Sequence, residues 1–152
     1  MCMTRTTSKR HSGILNDYQA LRSKFYNWSK ESLGDIRITD WSYGSVSMEW
    51  PIDGRMVMPD GFMFGGHVAS AADHIVGLVS MSVLENDDER FRTSRLETNY
   101  FRPVMRPRVT IEARVTNVSR SLIHAEADML NQEGKLCVRI YAVQMRRTVE
   151  QA

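Results

Sequence analysis

The segment from residue 66 to residue 84 constrains the fold more strongly than any other part of the chain. Its residues are almost all small or apolar, and Asp73 is its only acidic residue. Because apolar groups occur nearly all round a helix of this sequence, that helix has to be buried on most of its sides. The sequence therefore predicts a central helix over residues 66–84 that other elements surround.

The sequence that follows this helix has the two-residue period of β-strands. Apolar residues alternate with polar ones through residues 109–116, 123–130 and 136–142, and short turns separate these segments. Another strand is expected over residues 93–102, and the β-branched and aromatic segment 36–53 predicts strands or a bent hairpin. Short connections favour antiparallel neighbours. The predicted fold class is therefore α+β, with an antiparallel sheet curled around one long central helix.

The N-terminal part of the chain predicts a further helix and a tail. From Ile14 to Trp28, large apolar residues recur at spacings of three and four, and Gly34 fits the end of a helix. Residues 1–12 are polar, and we expect them to be disordered. At 152 residues the chain suits a single domain, which we assign to residues 13–148.

Composition argues against several classes of function. The formal net charge of +2 is too small to favour nucleic acid or an acidic membrane. The local clusters of basic residues are better explained as a tail or solvated loops than as an anion site. The two cysteines, Cys2 and Cys137, are not expected to pair, and no Cys or His spacing suits a metal. The N-terminus lacks the apolar core of a secretory signal, and no charge-free run is long enough to span a bilayer. We therefore expect a cytoplasmic protein without a bound metal.

A pair of glycines, Gly65 and Gly66, opens the central segment and defines a candidate site. The first N–H groups of a helix have no intrahelical partner and carry the positive end of the helix dipole, so they can bind an anion or a developing oxyanion. Asp73 lies seven residues after Gly66, which is about 10 Å along a helix axis. One carbonyl group cannot contact both within a single helix. If the two act together, they come from different chains of a two-fold dimer with two composite sites.

The same residues also allow a purely structural interpretation. The glycine pair can be simply the turn into the helix, and Asp73 can accept internal hydrogen bonds or face a solvent gap. The argument for a function of Asp73 is that burying a carboxylate is costly. From the residues alone, both interpretations stay open.

Four segments of the sequence together carry a family resemblance. They are a Gly-Gly pair followed seven residues later by an acid, a Thr-led strand that ends in Asn-aromatic-x-Arg-Pro, and two turns between later strands. In this sequence they are Gly65, Gly66 and Asp73, then residues 93–103, and then residues 117–122 and 131–136. The combination extends over about residues 35–147 and resembles the hot-dog-fold thioesterases, especially the phenylacetate-pathway branch of acyl-CoA thioesterases.

This resemblance implies a fold, an assembly and a reaction. The fold is a long helix wrapped by an antiparallel sheet, here with an extra N-terminal helix, and the proteins form homodimers that often pair into tetramers. The reaction is hydrolysis of acyl-CoA thioesters, which requires no cofactor. By position, Asp73 would act as general base on water or as nucleophile. The Gly66 N–H would polarise the thioester carbonyl, and Thr93 would help to hold the water.

The resemblance also implies substrate-binding residues in two places. Around the glycine pair they are Met58, Phe64, Gly65 and His67. In the later turn, near which the CoA moiety would lie, they are Ser119, Arg120 and Ser121. Two of these positions depart from the family pattern. Met58 stands where an Asn commonly helps to bind the carbonyl and cannot donate a hydrogen bond, and Phe64 stands where His is frequent.

Two other functions are open alternatives. A non-catalytic module that binds acyl-CoA or a lipid-like ligand is suggested by Met58 and Phe64, because both make the pocket entrance more apolar. A hot-dog hydratase or dehydratase would need a histidine paired with an acid, and His67 or His74 would then be the candidates, but the motifs of those enzymes are absent. Acyl-CoA thioesterase is the leading hypothesis. The expected partners are acyl-CoA and further copies of this chain, with no nucleic acid and no membrane.

Overall fold

The computed structural model describes residues 28–85 and 88–148 of the chain. It contains helical residues at 28–33 (α1), a 3₁₀ turn at Gly54–Met56 and the central helix at Gly65–Met81 (α2). The strands are β1 Arg37–Ser42, β2 Ser45–Pro51, β3 Glu89–Tyr100, β4 Arg108–Val118, β5 Leu122–Leu130 and β6 Leu136–Thr148. The tail predicted at residues 1–12 and most of the predicted N-terminal helix lie outside the described residues.

The strands form one six-stranded antiparallel sheet in the order β1-β2-β4-β5-β6-β3. β1 and β2 are joined as a hairpin, and Gly44 in its turn has a φ of 73°, a conformation that favours glycine. Of the two predictions for segment 36–53, separate strands or a bent hairpin, the structure shows the hairpin. β3 precedes β4 in the sequence but pairs with β6, so it forms one edge of the sheet. The predicted antiparallel sheet around a long helix is confirmed.

The core lies between α2 and the inward face of the sheet, where the apolar side chains of β2, β4, β5 and β6 are buried. The buried residues of α2 are Val68, Ala71, Ala72, Ile75, Val76, Val79 and Ser80. The helix is thus buried on most sides as predicted, but one face is open and carries Gly66, Ser70 and Asp73. Because none of these residues has a large apolar side chain, the open face exposes little apolar surface.

The C-terminal end of α2 lies three residues before the predicted end. Ser82 Oγ donates to the Val79 carbonyl at 2.6 Å and accepts a hydrogen bond from the Gly44 N–H at 2.9 Å. The first bond satisfies a carbonyl of the last helical turn, and the second ties the β1–β2 turn to the helix end. The chain therefore leaves the helix at Ser82 instead of continuing to residue 84.

β3 contains one extra residue relative to its neighbour. Thr93 and Arg95 pair with consecutive residues of β6, so Ser94 between them has no partner on that strand. Such a β-bulge re-aims side chains locally and is frequent beside functional sites. As a result, both Thr93 and Leu96 lie opposite inward-facing residues of β6, although they are three positions apart.

Trp50 on β2 joins α1 to the core. Its side chain is fully buried, its indole N–H donates to the Leu33 carbonyl at 3.0 Å, and its ring stacks on His67 with 6.1 Å between centroids. Replacing Trp50 with Phe leaves that carbonyl unpaired, so we expect the free energy of unfolding to fall by about 2–4 kcal/mol. Urea unfolding followed by circular dichroism measures the change. The control is Trp28→Phe, at a side chain that is 54% exposed, and an equal effect of both variants would contradict the assigned role.

Candidate active site

α2 and β3 lie side by side at the edge of the sheet. Three contacts join them along their length: Gly65 with Tyr100, Asp73 with Thr93 and Gly77 with Phe91. Because the order of the partners is opposite along the two elements, α2 and β3 run antiparallel. The open face of α2 therefore lies beside the free edge of β3.

A chain of three hydrogen-bonding side chains begins at Asp73. Thr93 Oγ1 donates to Asp73 Oδ1 at 2.7 Å, and Gln144 Nε2 donates to Thr93 Oγ1 at 3.3 Å. Asp73 and Thr93 are exposed, whereas Gln144 is fully buried. Within the described part of the chain, Asp73 Oδ2 makes no hydrogen bond. The structure thus brings together Asp73 and Thr93 and leaves one carboxylate oxygen available to a ligand.

Gly66, the other residue predicted to be catalytic, lies in the first turn of α2. Phe64 caps the helix without a side-chain hydrogen bond, and the N–H groups of His67 and Val68 both donate to the Phe64 carbonyl. The Gly66 N–H makes no backbone hydrogen bond among the described residues. The Phe64 ring lies over Gly66, since a Cβ on that glycine would come within 2.6 Å of Phe64 Cε1. An unpaired N–H at the positive end of a helix is a suitable donor to an oxyanion.

Gly66 and Asp73 open on the same face of α2 but at different points along it. Asp73 lies seven positions after Gly66, which is about 10 Å along the helix axis. The neighbouring strand also keeps them apart, because Tyr100, paired with Val138, lies near the helix start, whereas Thr93, paired with Gln144, lies near Asp73. A carbonyl bond is only about 1.2 Å long. Within one protomer the structure does not bring the two groups to a common substrate atom.

The remaining residues predicted around the glycine pair have different surroundings. Met58 and Phe64 are 38% and 61% exposed, and Gly65 accepts a hydrogen bond on its carbonyl from the Tyr100 hydroxyl at 2.7 Å. His67 instead stacks on the buried Trp50, and its buried Nε2 has no hydrogen-bond partner among the described residues. Met58, Phe64 and Gly65 are therefore near the helix start and accessible, whereas His67 points into the core.

The predicted CoA-proximal residues lie in the turn between β4 and β5. The Ser119 hydroxyl and N–H both bond to Leu122, which closes the turn. The backbone N–H of Arg146 donates to the Ser121 carbonyl at 2.8 Å, and its guanidinium donates to the Ser119 carbonyl at 3.3 Å. These bonds hold the turn against the end of β6.

This turn lies near the Asp73 end of the open face. Arg146, to which the turn is bonded, follows Gln144 by two residues on β6, so the turn is only about 7 Å further along the strand. Arg120 at the tip is exposed and forms no ion pair within residues 28–85 and 88–148. Arg120 is thus an exposed cation without an ion pair in this part of the chain, and it lies on the side of the site where Asp73 lies.

Neither histidine of α2 is hydrogen-bonded to an acid in the described part of the chain. The ring of His74 meets the edge of the Trp28 ring with 6.3 Å between centroids. Burial lowers the pKa of His74 below its usual value, and the nearby charge of Asp73 only partly opposes this effect. The paired histidine and acid that a hydratase would need are not found among the described residues.

The sequence analysis did not single out Gln144 or Tyr100, although both contact the site. Gln144 continues the inward row of β6 after Val138, Ile140 and Ala142. A polar amide in a row of buried apolar residues is a signal that the two-residue period itself provides. Tyr100 has no such signal, because its role depends on the approach of α2 to β3.

Residues 28–85 and 88–148 contain neither a metal-binding cluster nor a membrane-spanning helix. No group of three or more His, Cys, Asp or Glu side chains is arranged to hold a metal ion there. No helix in the same residues has both the length and the apolar character that crossing a bilayer requires.

The structure has an antiparallel sheet packed around one long helix, an acid on the open face of that helix and a glycine pair at its start. This is the arrangement of a hot-dog-fold thioesterase. The sequence matches the family model of the Thioesterase superfamily over residues 60–138, which is slightly more than half of its 152 residues. The chain therefore belongs to the thioesterase superfamily, and the predicted family and enzyme class, a thioester hydrolase, are confirmed.

Relatives and solved structures agree with this assignment. The chain is 28% identical over 102 residues to a predicted esterase from Saccharolobus solfataricus, covering 67% of this chain and 71% of the relative. A thioesterase from Haemophilus influenzae has the same fold, with a TM-score of 0.77 and 24% identity over 88% of this chain and 92% of that one. A hypothetical thioesterase from Streptococcus pneumoniae, solved with coenzyme A, has a TM-score of 0.75 and 18% identity over 86% of this chain and 99% of that one.

Proposed function

We propose that the protein hydrolyses acyl-CoA thioesters at two identical sites, each combining Asp73 of one subunit with the partner subunit's Gly66. The observation that carries this proposal is that both residues open on one face of α2, about 10 Å apart along its axis. In an antiparallel two-fold pair of this helix, each acid faces the glycine of the other chain. One thioester carbonyl can then meet both groups.

Two features of the protomer support such a dimer. The open face of α2 carries small side chains at Gly66 and Ser70, so two helices can approach closely. Beside it, β3 is a 12-residue edge strand whose outer side is unpaired among the described residues. Long edge strands tend to pair with another chain. Antiparallel pairing of β3 with its own copy would continue the sheet across the two-fold axis and bring the two α2 helices together.

Hydrolysis at this site requires one proton acceptor and one oxyanion donor. Asp73 Oδ2 takes a proton from a water molecule, and the resulting hydroxide attacks the thioester carbon. The N–H of the partner subunit's Gly66 stabilises the negative charge on the carbonyl oxygen. The carbon–sulfur bond then breaks, and the leaving thiolate takes the proton from Asp73, which yields a carboxylic acid and free CoA. Direct attack of the carboxylate on the thioester is the nucleophilic variant of the same scheme.

Arg120 supports CoA esters as the substrate class. It is an exposed cation on the turn near Asp73, where it can pair with the phosphates of a CoA molecule that enters between the subunits. Ser121 beside it can offer its hydroxyl group to the same moiety, whereas the hydroxyl of Ser119 already closes the turn. The structurally similar protein from Streptococcus pneumoniae was solved with coenzyme A, which is consistent with this use of the fold. Pairing of such dimers into tetramers stays a prediction.

Binding of an acyl-CoA or lipid-like ligand without hydrolysis is the second candidate function. The segment that leads into α2 carries three exposed apolar side chains, namely Met58, Phe62 and Phe64. Met58 also cannot donate the hydrogen bond that an Asn would supply there. A protein that binds acyl-CoA but releases no thiol from a broad panel of aliphatic and aromatic acyl-CoA esters would favour this function over hydrolysis.

Replacing Thr93 with Val tests the hydrolytic site, because the change removes the hydrogen bond to Asp73 but keeps the shape of the side chain. A hydrogen bond to a charged group contributes about 1.5–3 kcal/mol, so we expect kcat to fall by about 10–100-fold with little change in KM. Release of free thiol from acyl-CoA measures both constants. Thr93→Ser keeps the hydroxyl and should retain most of the activity, and Thr110→Val, on an exposed part of β4, should be unaffected. Equal activities of the Val and Ser variants at position 93 would contradict the role of this bond.

A further inference from the structure

Gln144 is a buried polar residue to which the hydrolytic scheme assigns no step. It lies in the inward row of β6 and is fully buried. Its Nε2 donates to Thr93 Oγ1 at 3.3 Å, but its Oε1 is buried without a hydrogen-bond partner among the described residues. A buried amide oxygen without a partner destabilises a fold, so an apolar residue would be the more stable occupant of this position. The presence of an amide therefore calls for another explanation.

The chemistry of the three groups fixes the direction of each hydrogen bond. An ionised carboxylate only accepts, so the single proton of the Thr93 hydroxyl points to Asp73 Oδ1. The hydroxyl oxygen then has only its lone pairs to offer, and Gln144 has to present its NH₂ group to it. This orientation turns Oε1 away from Thr93 and leaves it unpaired. The unpaired oxygen is thus a consequence of directing a donor at Thr93.

We propose that Gln144 is a positioning residue that holds the Thr93 hydroxyl in the orientation that donates to Asp73 Oδ1. Asp73 Oδ2 is then the carboxylate oxygen available to the water, and the carboxylate is fixed before the substrate arrives. Preorganised groups of this kind avoid reorganisation during the reaction. The inference rests on the proposed function, because it assigns Gln144 a part in setting up the proton acceptor of that reaction.

The test compares Gln144→Met and Gln144→Leu with the wild-type protein. Both variants remove the donor and the unpaired oxygen, and Met in addition keeps the unbranched shape of the side chain. We expect kcat to fall by about fivefold with KM unchanged, while the thermal midpoint stays the same or rises. Ile140→Leu, an apolar exchange in the same inward row, is the matched control and should leave kcat unchanged. A role in packing alone would lower the thermal midpoint instead.

A second arm places Gln144→Met in the Thr93→Val background. Because Gln144 acts through the Thr93 hydroxyl, it should lower kcat no further in that background. An undiminished kcat in both Gln144 variants would overturn the inference, and so would the same loss with or without the Thr93 hydroxyl. If Gln144→Leu does not fold, Gln144→Met alone serves for the comparison with the wild-type protein and for the Thr93→Val background. Asp73→Asn is assayed in parallel: its full activity would refute the proposed reaction, whereas its loss beside active Gln144 variants would refute only the positioning role.

Discussion

Replacing Asp73 with Asn is expected to lower kcat by about 10²–10⁴-fold without unfolding the protein. The amide has nearly the shape of the carboxylate, and its oxygen can still accept the hydrogen bond from Thr93, which measures 2.7 Å. It can neither take a proton from water nor attack a carbonyl carbon. The loss is therefore expected in turnover and not in stability. Thiol release and the thermal midpoint, measured on one preparation, separate the two.

The control for this variant is Asp40→Asn, an exposed acid on β1 that lies outside the site. It removes the same charge and should keep wild-type turnover. Binding of acyl-CoA to the Asp73→Asn protein should persist, because the substitution removes a reacting group and leaves the surrounding surface unchanged. Wild-type turnover by Asp73→Asn would exclude both the general-base and the nucleophilic scheme.

A mixed dimer of two inactive variants is expected to recover activity if each site is shared. Gly66→Pro removes the N–H at a position in the first helical turn, where proline is tolerated, and should lower turnover by about 100–1000-fold. Gly66→Ala is its control, since it keeps the N–H and brings the same Cβ within 2.6 Å of Phe64 Cε1. In a heterodimer of Asp73→Asn and Gly66→Pro, one site carries both substitutions and the other carries neither. A purified heterodimer should therefore show about half of the wild-type activity.

Co-expression with two different affinity tags and sequential purification isolates this heterodimer. Each parent homodimer, purified in the same way, sets the background activity. If each protomer held a complete site, every protomer of the heterodimer would contain one damaging substitution and no activity would return. A heterodimer as inactive as its parents would thus refute the shared site, and a protein that is monomeric at assay concentrations would refute it as well. Recovery in this experiment cannot arise from a contaminating hydrolase, because the parents control for it.

Much of the fold could be predicted because its signals are local. The alternation in β4, β5 and β6 and the apolar character of α2 follow from side-chain periods of two and 3.6 residues. The position of β3 could not be predicted in this way, because strand order depends on pairing between residues far apart in sequence. The open face of α2 has the same cause, since the side of the helix that the sheet leaves uncovered is set by that strand order.

In the candidate site, too, local sequence signals could be predicted and contacts between distant residues could not. Helix geometry alone identified Gly66 and Asp73 as a candidate pair, and the family resemblance added the catalytic roles of Asp73 and Thr93. The hydrogen bond between Asp73 and Thr93 is a finding of the structure. The contact of Gln144 with Thr93 could not be predicted, because the two residues lie 51 positions apart in the sequence. His67, which the resemblance implies as a substrate-binding residue, stacks on the buried Trp50 although it directly follows Gly66. Successive residues of a helix point about 100° apart, so neighbours in the chain can face the core and the solvent respectively.

The bulge at Ser94 lets β3 depart from the strict alternation of sides that a regular strand imposes. With the extra residue, Glu89, Phe91 and Thr93 before it and Leu96 after it can all lie on one side of the sheet. Removing Ser94 would turn the side chains of β3 that precede it to the opposite face of the sheet, because a one-residue slip reverses the face of every side chain. The Thr93 hydroxyl, the ring beside Gly77 and the Glu89 carboxylate paired with Arg146 would all be displaced together. The extra residue thus decides which side chains of β3 before Ser94 face the core. Deleting it would reverse that orientation for all of them, whereas a substitution would change only one side chain.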